Sequence, residues 1–126
     1  MKEISIYDRM TKAEKEVAGF LNNLGIYWSY ENPIFVWDES NRPRVWAPDF
    51  LLIPFGIYVE VCGSDKFNYE YRRSILENNG FKVIFLHLYK ESSKWKNHLM
   101  VYLERIIDYR NQKLNEILRK NIEWLE

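Results

Sequence analysis

The sequence predicts an α/β domain: a central mixed sheet of four to five strands flanked by helices, with a long helix at its C-terminal end. Two observations carry this prediction. Segments with helical spacing alternate with short apolar runs over residues 10–90, and apolar positions at helical spacing then recur to residue 125. With 126 residues, 47% of them apolar, the chain is expected to form one domain. Its core would span about 10–90 and its helical extension about 94–126.

The first helix is predicted from a capping box and a terminating glycine. Thr11 is followed three residues later by Glu14, so each can bond the other's backbone N–H. Apolar residues follow at helical spacing, and Gly25 ends the helix. Residues 26–31 alternate large apolar with polar side chains, which predicts a strand. Residues 33–37 are expected to continue this strand after a break, and residues 38–42 to form a polar turn.

A predicted hairpin holds the most informative pair of residues. Two apolar runs, 46–53 and 56–63, are joined by a short turn at 54–56. Asp49 then lies near the start of one strand and Glu60 near the end of its antiparallel neighbour, at the same end of the sheet. Two close carboxylates repel and raise one pKa unless a cation lies between them. A hard divalent ion with oxygen ligands is the expected occupant.

A second helix and a further strand follow the hairpin. Tyr69, Arg72, Arg73 and Leu76 have helical spacing, the helix ends at 78–80, and residues 82–88 form a strand. Because a strand, a helix and a strand make a right-handed crossover, the last strand should run parallel to the Glu60 strand. This places His87 near Glu60 and Cys62.

Composition and charge narrow the class of protein. The single cysteine, Cys62, excludes an intrachain disulfide, and no apolar run approaches the roughly 20 residues of a membrane span. We therefore expect a cytoplasmic protein. The net charge is zero, but residues 1–66 carry 7 basic and 10 acidic side chains and residues 67–126 carry 11 and 8. A net charge of zero weakens the argument for a nucleic-acid partner but does not exclude one, because a local basic surface matters more than the net charge.

The order of these motifs resembles the PD-(D/E)XK nuclease superfamily, whose fold is restriction-endonuclease-like. The likeness covers roughly residues 10–90, and the sequence is most similar to the very-short-patch-repair and TnsA-type short endonuclease groups. It rests on five pieces of sequence: Thr11-x-x-Glu14, Glu31-Asn-Pro33, Pro48-Asp49-Phe-Leu-Leu52, Tyr58-Val-Glu60-Val-x-Gly63, and Arg72 with Leu76 and Gly80 before a strand.

The resemblance implies a magnesium- or manganese-dependent DNA endonuclease that hydrolyses phosphodiester bonds. Asp49 and Glu60 would be carboxylate ligands of the metal, and the backbone carbonyl of Val61 would add a third oxygen. Glu14 would reach the site directly or through water. Such an ion lowers the pKa of the attacking water and neutralises charge that develops on the phosphate.

One position departs from the superfamily's pattern. The motif lysine belongs two residues after the glutamate, where this chain has Cys62. A neutral thiol cannot supply the lysine's positive charge. Compensation could come from Lys66 just past the strand, from Lys15 beside Glu14, from Arg72 or Arg73 on the second helix, or from His87 at the end of the adjacent strand. Lys66, Arg72 and Arg73 are the candidates for phosphate contacts.

Each candidate residue also has a structural interpretation. Asp49 could begin a turn, Glu60 could form an ion pair with Arg72 or Lys66, and Glu14 could act only as a helix cap. Cys62 could be a nucleophile activated by a base such as His87, or simply a small apolar residue of the core.

Two further functions therefore stay open beside the endonuclease. One is a catalytically degenerate nuclease fold that binds nucleic acid or protein. The other is a structural partner protein that uses the C-terminal helix, which would be about 45 Å long over residues 95–125. That helix could break near Asn111-Gln112 and fold back, or it could form a homodimer or bind another protein.

Overall fold

The computed structural model describes residues 5–90 and 94–125. A short 3-10 turn, Ile6–Arg9, precedes the helices and strands. The helices are α1 (Lys12–Leu24), α2 (Tyr69–Asn78) and α3 (Lys94–Leu125). The strands are β1 (Trp28–Tyr30), β2 (Ile34–Trp37), β3 (Pro43–Trp46), β4 (Phe50–Leu52), β5 (Ile57–Cys62) and β6 (Val83–His87).

Four strands form a mixed sheet in the order β1-β4-β5-β6. β4 pairs antiparallel with both β1 and β5, whereas β6 pairs parallel with β5. The predicted hairpin and the predicted parallel strand after the crossover are therefore both confirmed. The turn between β4 and β5 closes at Gly56, whose φ of 65° is a conformation that costs glycine little.

The two faces of the sheet pack against different partners. Side chains from β4, from odd-numbered positions of β5 and from α1 and α3 form one core, which includes Phe50, Val59 and Leu99. The other face packs against α2 and β2, with Cys62 and Phe85 among its buried residues. Because neighbouring residues of a strand point to opposite faces, the position of each side chain along β5 decides which core it enters.

Both predicted ends of α1 are confirmed. The Thr11 hydroxyl accepts the Glu14 N–H at 3.1 Å, while the Glu14 carboxylate accepts the Thr11 N–H at 3.1 Å. Gly25 ends the helix in the left-handed conformation, with φ of 72°. The capping box thus fixes the position of Glu14 in the first turn of α1.

The prediction that residues 33–37 continue the first strand of the central sheet is wrong. β1 stops before Glu31, which has φ of 53°, and β2 instead pairs with β3 in a separate two-stranded ribbon. The Asn79 side chain ties this ribbon to α2, since it accepts the Trp37 N–H at 2.8 Å and donates to the Trp37 carbonyl at 3.0 Å. The central sheet consequently has four strands, and β3 was not predicted: it lies between the predicted turn at 38–42 and the predicted hairpin, and it takes Trp46 from the start of that hairpin.

The C-terminal helix is continuous through Asn111-Gln112, so the predicted alternative of a break there is wrong. α3 begins against the sheet, where Trp95, Leu99 and Leu103 are buried. At Arg110 the guanidinium donates to the carbonyl oxygens of Pro54, at 2.9 Å, and Phe55. Every residue from 107 to 125 is exposed. None of the helices within the described residues has the length and apolar character needed to cross a membrane.

Candidate active site

Asp49 and Glu60 lie opposite each other at one end of the β4–β5 pair. Phe50 pairs with Val59, so the next step in the antiparallel register brings Asp49 beside Glu60. Phe50 and Val59 point into the core against α1 and α3. Because adjacent residues of a strand point to opposite faces of the sheet, Asp49 and Glu60 lie on the other face, beneath α2.

Backbone geometry at Val61 holds the Asp49 side chain in place. The Val61 N–H donates to Asp49 Oδ2 at 2.7 Å. Tyr58 and Cys62 bond to the β6 side, so the alternation directs the polar groups of Val61 toward β4. In that register the residue across from Val61 is Pro48, which has no N–H to offer the Val61 carbonyl.

Glu60 is buried and carries an ion pair. Arg72 Nη2 on α2 donates to Glu60 Oε1 at 2.9 Å. The guanidinium carbon of Arg72 also lies 4.7 Å from the centroid of the Trp46 ring, a cation–π distance. The alternative that Glu60 pairs with Arg72 is therefore confirmed, and this arginine is fixed at the site from two sides.

Glu14 joins the same site from α1 while it caps its own helix. Its Oε2 accepts the Tyr30 hydroxyl at 2.8 Å, and its Oε1 is taken by the capping bond. Glu14 is 7% exposed. Burial first, and then hydrogen bonds to acidic side chains, raise the pKa of Tyr30 well above its usual range, so Tyr30 stays a donor.

Burial and neighbouring negative charge raise the pKa of two of these acids, Asp49 and Glu60. Burial, followed by the charge of Glu60, raises the pKa of Asp49 to about 7, although the Val61 N–H works in the opposite direction. Burial also raises the pKa of Glu60, against the effect of Arg72. Glu14 contributes to both shifts. A site that penalises negative charge in this way favours a proton or a cation.

The acids line a large open cleft of about 1000 Å³ between α1, α2 and the ends of β4 and β5. Its charged lining consists of four acidic and two basic residues, namely Glu14, Glu16, Asp49, Glu60, Lys12 and Arg72. Trp46, Phe67, Tyr69 and Tyr71 add aromatic surface. The cleft therefore has the size of a ligand site and an excess of negative charge.

Cys62 does not supply a reactive group to this cleft. Its side chain is fully buried, with Sγ 3.9 Å from the Glu60 carbonyl oxygen. Burial, with the nearby charge of Glu60, raises the pKa of the thiol to about 12, so it is neutral at physiological pH. His87 pairs with Cys62 across β5 and β6, as predicted, and burial together with the charge of Lys90 lowers its pKa. These shifts favour the core interpretation of Cys62 over a nucleophile.

The other predicted cations lie away from the acids. Lys66 is exposed in the loop before α2, where its N–H donates to Ser64 Oγ at 3.4 Å, and it is not part of the cleft lining. Arg73 turns toward the sheet, with its guanidinium carbon 4.9 Å from the Phe85 ring centroid. Of the three predicted phosphate contacts, only Arg72 is brought to the site.

The oxygen donors at this end of the sheet fit a hard divalent cation. Asp49 and Glu60 each use one oxygen in a hydrogen bond, which leaves Oδ1 and Oε2, and Val61 adds a carbonyl that Pro48 cannot engage. Within residues 5–90 and 94–125, no three His, Cys, Asp or Glu side chains form a close metal-binding group. A cation would thus be held by two carboxylates and one main-chain oxygen, with water completing its shell.

Two functional contacts were not predicted from the sequence. Tyr30 holds Glu14, and Trp46 lies beneath Arg72. The alternation of residues 26–31 marks Tyr30 as an inward-facing residue, but its partner comes from another element. No comparable pattern marks Trp46, because the sequence places it at the start of the predicted hairpin and the structure places it in β3.

Comparisons with known proteins do not assign the chain to a family. No protein-family model, no curated protein and no solved structure matches it.

Proposed function

We propose that this protein is a divalent-metal-dependent endonuclease that hydrolyses phosphodiester bonds in DNA, with Asp49, Glu60 and Glu14 as its acidic centre. The observation that carries the proposal is that Glu14, Asp49 and Glu60 line one open cleft, where burial and then the charge of Glu60 raise the pKa of Asp49 to about 7. Clustered perturbed acids in a cleft are typical of functional sites.

The charge of the cleft supports a metal-dependent reaction. Four acids against two bases would repel an anionic phosphodiester. A bound divalent cation would reverse this repulsion, lower the pKa of a bound water and neutralise charge on the phosphate. Asp49, Glu60 and the Val61 carbonyl are the residues that would hold Mg²⁺ or Mn²⁺.

The protein's own groups would orient this chemistry. The Val61 N–H fixes Asp49 through Oδ2, so the second carboxylate oxygen keeps a defined position. Tyr30 and the helix cap fix Glu14 in the same way.

Arg72 is the residue that we propose for the positive charge that Cys62 cannot provide. Its guanidinium is planar, permanently charged and suited to two-point contact with phosphate oxygens. It lines the cleft, and both Glu60 and Trp46 hold it there. Arg72→Lys should retain more cleavage activity than Arg72→Gln, because lysine keeps the positive charge. It should still be less active than the natural chain, because lysine cannot make the guanidinium's two-point contact.

The direct test is cleavage of supercoiled, linear, single-stranded and branched DNA with Mg²⁺ or Mn²⁺. We expect metal-dependent cutting by the natural chain and at least a roughly hundredfold loss in Asp49→Asn and Glu60→Gln, which keep the side-chain shapes. Asp65→Asn is the matched control, since Asp65 is exposed and lies outside the cleft lining. Equal activity in all four proteins would reject the assignment and indicate a contaminating nuclease.

A second function is favoured by one specific observation. Cys62 is neutral, and Arg72 already neutralises Glu60, so the site resembles a nuclease centre that has lost turnover. In that case the protein would bind nucleic acid or another protein without cutting. Fluorescence anisotropy with labelled DNA separates the two functions, because binding without cleavage under Mn²⁺ would support this alternative and contradict the enzyme.

A further inference from the structure

We infer that the outer part of α3 pairs antiparallel with the same segment of a second copy of this chain. Arg110 is bound to the β4–β5 turn, and all residues from 111 to 125 are exposed beyond it. At 1.5 Å per residue this outer segment extends by about 22 Å. A single exposed helix of this length has little stability of its own in water, so a partner for its apolar side is expected.

A continuous stripe with coiled-coil spacing begins one turn before this outer segment, at Ile107, and runs along it to residue 125. Its members are separated by four or three residues: Ile107, Asn111, Leu114, Leu118, Asn121 and Leu125. The apolar members are 45% to 88% exposed. Ile117, Ile122 and Trp124 widen the stripe, and they too are exposed. This spacing keeps one side of a helix against a neighbouring helix over several turns.

The stripe is self-complementary when two copies run in opposite directions. If Leu114 faces Leu118 of the second copy, Asn111 faces Asn121 and Ile107 faces Leu125 in the same register. Apolar side chains then meet apolar side chains, and amides meet amides, with which they can exchange hydrogen bonds. The register uses the whole of 107–125 and leaves no unmatched end.

Trp124 favours the antiparallel over the parallel arrangement. It is 90% exposed and flanks the stripe. In the antiparallel register it lies near the level of Arg110 of the second copy, whose guanidinium carbon is 6.0 Å from the Phe55 ring centroid. The indole could stack on this cation, whereas a parallel pair would leave it at the far tip in water.

The available area suits a dimer. Seven exposed apolar side chains contribute: Ile107, Leu114, Ile117, Leu118, Ile122, Trp124 and Leu125. At about 100 Å² each they would bury about 700 Å² per copy and about 1,400 Å² in total, within the usual range for stable interfaces. This inference does not depend on the proposed nuclease function.

Light scattering of the full chain at about 50 μM tests the inference. We expect twice the chain mass of 15.4 kDa. The double variant Leu114→Glu with Leu118→Glu should return to the single-chain mass, because like charges would meet across the pair. The control, Glu116→Lys with Lys120→Glu, lies on the opposite side of α3, keeps the net charge and should remain dimeric.

Cysteine cross-linking tests the direction of the pair. Asn111→Cys and Asn121→Cys variants, mixed and oxidised in air, should link to each other but not to themselves, while Cys62 stays buried. Self-linking of either variant would overturn the antiparallel register. A natural chain that is monomeric at about 50 μM, or a glutamate variant that stays dimeric with unchanged thermal unfolding, would overturn the interface.

Discussion

Replacing Asp49 with asparagine should stabilise the protein at neutral and alkaline pH, although it removes a carboxylate of the proposed metal site. The pKa of Asp49 rises from its ordinary 3.8 to about 7 in the folded protein. The asparagine side chain would keep an oxygen for the Val61 N–H but would carry no charge against Glu60 and Glu14. The substitution therefore removes an electrostatic cost and retains the hydrogen bond.

The sign and the size of the effect follow from proton linkage. A carboxyl with a raised pKa holds its proton more tightly in the folded state, so stability falls as the pH rises from about 4 to about 7. A shift of about 3 pKa units at 1.36 kcal/mol each sets an upper limit of about 4 kcal/mol for the cost at pH 8. At pH 5 the same calculation gives about 1.6 kcal/mol.

Urea unfolding at pH 5 and pH 8, with chelator present, measures this difference. We expect the gain in the free energy of unfolding from Asp49→Asn to be larger at pH 8 by about 2 kcal/mol. Asp65→Asn, an exposed acid, should show no such dependence. A gain that is the same at both pH values, or a net loss at pH 8, would refute the raised pKa of Asp49 in the folded protein.

Mg²⁺ offers a second measure of the same coupling. If the cation is held by Asp49 and Glu60, it should stabilise the natural chain at pH 8 by mass action and have little effect on Asp49→Asn. Equal stabilisation of both proteins would place the cation elsewhere.

The remaining predictions concern contacts that hold the site. Arg72→Gln should destabilise the protein by about 1 to 3 kcal/mol, because Glu60 loses its partner while Arg72's 30% exposure reduces the cost. Tyr30→Phe should cost about 1 to 3 kcal/mol, since it leaves the buried Oε2 of Glu14 without its donor while Oε1 keeps the Thr11 N–H. Asn79→Ala should cost about 2 kcal/mol and expose the β2–β3 ribbon, because it removes bonds to both the end of β2 and α2. Urea unfolding measures all three free energies, and hydrogen exchange reports the ribbon.

Each of these contacts has a control. Arg72→Lys keeps the charge beside Glu60 and should lose less stability than Arg72→Gln. Tyr27→Phe, at a residue 77% exposed, and Asn78→Ala, at the neighbour of Asn79, should be nearly neutral. If any control matches its paired variant, the contact assigned to that residue is not the source of the effect.

Much of the site's placement was predictable because it depends on local rules. The capping box and Gly25 determine the limits of α1, and the turn before Gly56 sets the register that brings Asp49 opposite Glu60. The crossover rule placed β6 parallel to β5. These features are encoded within a few residues or by chain connectivity, so a single sequence reveals them.

The contacts between separate elements were not determined by such rules. Residues 34–37 have strand character, yet strand character does not say which partner a strand will choose, and here it is β3 rather than the central sheet. In the same way, the sequence left Glu60 with two candidate cations, and only the approach of α2 selected Arg72 over Lys66.

By itself, the sequence determined the three helices, the hairpin with its two acids, the strand parallel to β5, and the cysteine two residues after Glu60. Tertiary structure alone decided that Tyr30 holds Glu14, that Trp46 supports Arg72, and that the last part of α3 extends away from the domain. The physical reason is that hydrogen-bond periodicity and turn chemistry act between near neighbours. Burial, ion pairing and pKa shifts depend instead on which distant residues packing brings together.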